Sequence, residues 1–227
     1  VPALAVLAPV TLAAVVVFRV DDLPRSLLTV AAATGFHLVV LRLVRDRGNQ
    51  VQARLWERWG GQPTAARLRW RSTQDHSAHG ELHRRIQRVT GVQLPTASAE
   101  HADPGRADAA YERAVAQLRE LTRDHARHHR VFTELLEYSA ARNLLGVKPL
   151  GLVVAVVVAV LSGAAAALTA AGAMGWSWPP IVLSGGGAVL AAVVWLVVVT
   201  PAYVESSAAR YADALLGAVL EPGRSRS

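Results

Sequence analysis

Residues 149–204 read PLGLVVAVVVAVLSGAAAALTAAGAMGWSWPPIVLSGGGAVLAAVVWLVVVTPAYV and contain no Asp, Glu, Lys, Arg or His. Two apolar runs, Leu150 to Met174 and Ile181 to Thr200, flank Gly175-Trp176-Ser177-Trp178-Pro179-Pro180. A helix needs about 20 mostly apolar residues to cross a hydrocarbon core, and each run is long enough. Indole rings favour the headgroup level of a bilayer, so the Trp-Pro break suits a turn at the membrane surface. The stretch predicts a transmembrane hairpin.

Two further apolar runs lie toward the N-terminus, at about 1–18 and 26–44. The link between them balances Arg19 and Arg25 against Asp21 and Asp22. No basic leader precedes the first run and a second follows at once, which argues against a cleaved signal peptide. The expected fold is an all-α membrane protein with two transmembrane hairpins, four membrane helices in all, flanking a helical cytoplasmic domain. Residues 1–44 form the first hairpin, 45–148 the cytoplasmic domain, 149–200 the second hairpin and 201–227 an amphipathic cytoplasmic tail.

Charge sets the orientation. Residues 45–148 hold 17 Arg and one Lys against 12 acidic residues, and the hairpin turns are neutral. Arg42, Arg45 and Arg47 crowd the end of the second apolar run, and cytoplasmic flanks carry such excess. Both termini and the middle segment are therefore expected in the cytoplasm. Arg greatly outnumbers the single Lys148, and Ala and Val abound. That coding bias suits a GC-rich bacterium and the inner membrane. With no Cys, disulfides, thiolate zinc sites and thiol catalysis are excluded.

Within the middle segment, Val51, Leu55 and Trp59 recur at helical spacing and predict a short amphipathic helix stopped by Gly60-Gly61. Thr64 to Arg71 is ambiguous between strand-like alternation and a short Ala-rich piece. Ser72 is the expected cap of a helix to about Thr90, closed by Gly91. Residues 91–105 read as a loop, and Asp103-Pro104 as a helix start. Tyr111, Ala114, Leu118, Leu121, His125, His128, Phe132 and Leu135 form a heptad-like seam. It is either one helix over 104–145 or two antiparallel helices broken near His125. Gly146 and Pro149 are expected to separate it from the third membrane helix. Val204, Ala208, Tyr211, Leu215 and Val219 make the apolar stripe of the tail, which is expected to pack on the cytoplasmic helices.

Candidate chemistry is sparse. His79/His83 and His125/His129 are i, i+4 pairs able to share a metal. Against this, solvated or seam-edge histidines are the simpler reading, and no cofactor is expected. Seam histidines that repel when protonated would loosen the cytoplasmic helices below about pH 6. His37 is an ionisable group inside a membrane helix, either functional or making one interhelical hydrogen bond. Gly163, Ala167 and Ala171, with Ser184, Ala188 and Ala192, make small-residue faces that either seal the hairpin or join subunits. Trp56, Arg58, Trp59, Arg67 and Arg69 combine stacking surfaces with phosphate-pairing groups. They form either a site for an anionic small ligand or the core and rim of a small folded unit. A homo-oligomer in the lipid bilayer, with a small anionic ligand or a cytoplasmic protein as partner, is expected; nucleic acid is not. No catalytic constellation is present, so the chain is read as a non-enzyme.

The Trp-rich element from Leu55 to Arg69, with Arg142-Asn143-Leu144-Leu145-Gly146-Val147-Lys148-Pro149-Leu150-Gly151, resembles a family of bacterial four-helix membrane proteins that has no assigned function. The layout is also similar to that of four-helix membrane effectors of nucleotide-signalling antiviral systems. That likeness implies a cytoplasmic domain that senses a signal and a membrane part that perturbs the bilayer. It carries no catalytic motif and transfers no residue roles. A scaffold that anchors a cytoplasmic partner through the helical seam is the alternative.

Overall fold

The structure, a computed structural model, describes the backbone over residues 27–220 and side chains over 40–219. Every regular element among these residues is helical. In chain order they are α1 (Leu27–Arg58), α2 (Pro63–Ala66), a 3-10 turn (Trp70–Ser72), α3 (His76–Thr90), α4 (Ala97–Ala102), α5 (Pro104–Leu121), α6 (His129–Ala170), α7 (Trp178–Val197) and α8 (Pro201–Leu220). The predicted first membrane helix and its link lie outside the described residues. The predicted second one falls within α1. Two helices among the described residues, α6 and α7, are long and apolar enough to cross a membrane.

The chain divides into two compact units. The first takes α1 up to Gln52 together with Ala140–Tyr203; the second takes Ala53–Ser139 and the chain from Val204 onward. α1 and α6 each supply residues to both.

The first unit is packed by hydrocarbon and bare backbone. Val44, Val147, Trp195 and Val199 form its core, with Val40, Leu144, Leu145 and Leu152 against them. A Cβ on Gly146 would lie 2.7 Å from the Arg47 carbonyl carbon and the Gly48 nitrogen, so α1 and α6 cross backbone to backbone there. A Cβ on Gly151 would overlap the Trp195 ring. Ala155, Val158 and Ser162 continue the α6 face; Ile181, Ser184 and Ala188 meet it from α7. The Ser162 and Ser184 hydroxyls are hydrogen-bonded at 2.7 Å. The outward faces are aliphatic: Val153, Val156, Val160, Leu161, Val182, Leu190 and Val197 are all exposed.

Several local expectations are corrected here. Gly146 and Pro149 do not end a helix, because α6 runs through both. Proline forfeits one intrahelical bond, to the carbonyl four residues back, and the packing of Val147, Gly146 and Gly151 on either side holds the helix together. Lys148 Nζ donates to the Leu196 and Val199 carbonyls at 3.4 and 2.7 Å. It satisfies the orphan acceptors at the end of α7. Gly172, at φ 71°, ends the apolar run of α6, and α7 starts at Trp178 with proline in its first turn.

The second unit is built around α5, against which α2, α3 and α4 all pack. Tyr111, Ala114, Val115 and Leu118 point into its core and are essentially inaccessible. Asp103 caps α5 as expected, accepting the Arg106 N–H at 3.0 Å. The seam stops at Leu118. Leu121 is half exposed, and residues 122–128 form a turn with His125 and His128 in it. The chain therefore breaks near His125. Asp75, not Ser72, caps α3, through bonds from Ser77 N and Ala78 N, and Gly91 at φ 70° closes it. The expected loop at 91–105 contains α4, capped by Thr96. The short helix expected from Val51 is the last part of α1, which ends before Gly60 and Gly61 at φ 72° and 127°. Thr64–Arg71 contains no strand: it is α2, then a turn. Val204, Ala208, Tyr211 and Leu215 of α8 are buried in this unit.

Candidate functional site

The chain from Arg67 to Arg71 forms a strap bonded to α3, α4 and α5. Leu68 is fully buried, and its carbonyl accepts His79 Nε2 at 2.9 Å and His83 Nε2 at 2.8 Å. A carbonyl can only accept, so both imidazoles carry hydrogen on Nε2. The i, i+4 spacing on α3 brings their rings to 4.6 Å. The Trp70 ring lies edge-on to both, at 5.0 and 4.8 Å, and stacks on His76. Trp70 Nε1 donates to the Pro95 carbonyl at 2.9 Å.

Two carboxylates complete the strap. Glu100, on the short α4, is 3% exposed. It accepts the Trp70 and Arg71 backbone N–H groups at 2.8 and 3.3 Å and the Tyr111 hydroxyl at 2.6 Å. Burial pushes the Glu100 carboxyl up. The Tyr111, Trp70 and Arg71 hydrogen bonds and the Arg71 charge outweigh that and hold it below its usual range. Burial, then Glu100, drives the Tyr111 hydroxyl far above its ordinary value. Asp108 takes Arg69 in a two-pronged bond, Nε at 2.7 Å and Nη2 at 2.9 Å, and also receives Arg71. Arg69 Nη2 reaches the Gly60 carbonyl at 2.7 Å as well.

The predicted binding residues do not converge. Arg69 is committed to Asp108 and Arg67 to Asp213. Arg58 is exposed and Trp59 half-buried. Trp56 donates its indole N–H to the Tyr138 hydroxyl at 3.2 Å. It borders an open cleft with Gln62, Thr64, Arg119, Tyr138 and Tyr211 that encloses only about 10 Å³. Pockets that bury a small molecule usually run from about 300 Å³ upward.

The two histidine pairs stay apart in role. His79 and His83 are core groups, neither solvated nor on a seam. His125 is exposed and stacked on Phe132. Among the described residues no three metal-ligating side chains gather. In the first unit Gly163 and Ala167 are exposed, with open space around Gly163, while Ser184 and Ala188 are buried against α6. The packed α6 face is thus one position away, through Gly151, Ala155 and Ser162. The side chain of His37 lies outside the described residues.

The sequence pattern pointed to Tyr111 only as a seam residue and did not single out Glu100, Asp108 or the Leu68 carbonyl. The one available signal was Thr96 with Glu100 in a Pro-bounded stretch, a cap followed by an acid near a helix start. No protein-family model, curated protein or solved structure matches this chain.

Proposed function

We propose that this chain is a bacterial inner-membrane protein with no catalytic centre of its own, in which a helical cytoplasmic unit receives a signal and the membrane helices respond. The observation that carries the reading is the contrast along α6. Its first part carries Glu134 and Glu137, both paired with Arg210, and its apolar part displays aliphatic side chains outward beside α7. Lipid is the solvent that suits the latter face. One helix shared by two chemically opposite units supports a response carried from one to the other. The fuller form of the reading has four membrane helices, both termini in the cytoplasm, a homo-oligomer and a membrane-disrupting defence effector as the output.

The commitment of Arg67 and Arg69 to internal carboxylates favours a second reading. A scaffold that anchors a cytoplasmic protein partner needs no small-molecule pocket.

The test is membrane potential in bacteria induced to express the full chain, read with a voltage-sensitive dye. Depolarisation that G163L/A167L abolishes supports the effector. A normal potential together with a protein partner that copurifies from native membranes supports the scaffold. Recovery of the chain in the soluble fraction after carbonate extraction would overturn both.

A further inference from the structure

We infer that the His79–His83 pair makes the cytoplasmic unit a proton sensor, in which charging of the pair releases the Arg67–Arg71 strap. The inference rests on the sensing role proposed above and names its signal.

The geometry is unusual in one respect: two buried imidazoles are hydrogen-bonded to one carbonyl oxygen. Both donate from Nε2 in this arrangement. A first proton places a cation beside the Trp70 ring; a second places two like charges with ring centres 4.6 Å apart on the same acceptor. Like charges at such a distance oppose each other strongly where water is scarce. One ring must then turn away, and Leu68 loses its anchor.

The counter-charges in the surroundings are already committed to arginines. From the strap, Arg69 and Arg71 face the region; from α4, Glu100; from α5, Asp108 and Tyr111; from α3 itself, His76. Glu100 and Asp108 are already matched by Arg71 and Arg69. Tyr111 stays neutral. His76 is exposed at the start of α3 and stacks on the same indole. An added proton is therefore net charge inside a core.

The direction of the effect follows. Burial, then the charge of His79, pulls the His83 imidazole below its ordinary value of 6.5; the Leu68 bond and Glu100 oppose this without reversing it. The folded form binds fewer protons than the released form, so the strap is secure above about pH 6.5 and loses stability as pH falls below it. His125 and His129 are exposed, in the turn and at the start of α6, and are not part of the strap.

Hydrogen exchange followed by mass spectrometry on the full chain in lipid nanodiscs tests this. Corrected for intrinsic exchange, protection of residues 68–79 is expected to fall about tenfold or more between pH 7.5 and pH 5, while α5 keeps its protection. In H79Q/H83Q a glutamine amide can still reach the carbonyl and cannot titrate, so protection should be equal at both pH values. Unchanged protection in the wild-type chain overturns the inference, as does a fall that survives in H79Q/H83Q. Should that variant not fold, histidine carbon shifts in the wild-type chain decide. Titration of His83 below its ordinary imidazole value is expected; titration at that value overturns it. These readouts concern the cytoplasmic unit alone. Their failure leaves the membrane reading standing, and failure of that reading is seen instead in carbonate extraction and membrane potential.

Discussion

The two units reach close packing by opposite means. In the first, side chains are removed: Gly146 lets α1 and α6 touch through their backbones, and Gly151 makes room for Trp195. In the second, polar side chains are brought in and satisfied: Glu100 and Asp108 hold the strap with charge-assisted bonds. On the membrane reading proposed above, the difference follows the solvent. Lipid tails are as apolar as leucine, so membrane helices gain by contact and small residues. In water, burial of Leu68, Ile86, Tyr111 and Leu118 drives association, and each polar group carried inside must find a partner.

The largest expected effect breaks the second unit. Glu100→Ala leaves the Tyr111 hydroxyl and two backbone N–H groups without their acceptor, and should cost about 3–5 kcal/mol in chemical denaturation. Acid acts on the same group. Its folded value is depressed, so its contribution is complete above the unfolded value and is lost as pH falls through the folded one. Below about pH 4 the second unit should lose far-UV helix signal in the wild-type chain. A first unit that melted with it would blur the comparison.

Next comes Gly146→Ala. The added methyl meets main chain that has no rotamer to change, and overpacking of this kind costs about 1–3 kcal/mol. A lowered melting temperature in nanodiscs, with unchanged exchange in α5, is the expected pattern. An unaltered melt would mean that α1 and α6 separate at no cost. Asp103→Ala removes the cap of α5 and should destabilise by about 1 kcal/mol, read from the denaturant midpoint. Arg123→Gln, which breaks an exposed pair with Glu120, should shift the same midpoint by less than about 0.5 kcal/mol.

What the sequence made legible was local. The apolar runs of α6 and α7, the Asp103 cap, the Gly91 stop and the stripe of α8 are local patterns, and each reports on a local cause. Pro149 misled because a breaker signal describes an isolated helix, while Val147 and the neighbouring glycines are held by contacts far along the chain. The seam from Tyr111 to Leu135 kept its spacing across a turn by coincidence of period, and spacing alone cannot register that Leu121 faces water. The strap was the least legible part. His79 and His83 read as a metal pair or as solvated groups because the acceptor that claims both, a main-chain oxygen at position 68, has no side-chain signature. Arg67 and Arg69 read as phosphate ligands because Asp108 and Asp213 lie far away in sequence.

Lys148 is the only lysine in the chain, and its amine is spent on the Leu196 and Val199 carbonyls. Acylating reagents that attack unprotonated, accessible amines thus find a single side-chain target, tucked against the end of α7. The extent of its modification becomes a built-in gauge of whether the α6–α7 hairpin is closed, readable in intact cells without adding any tag.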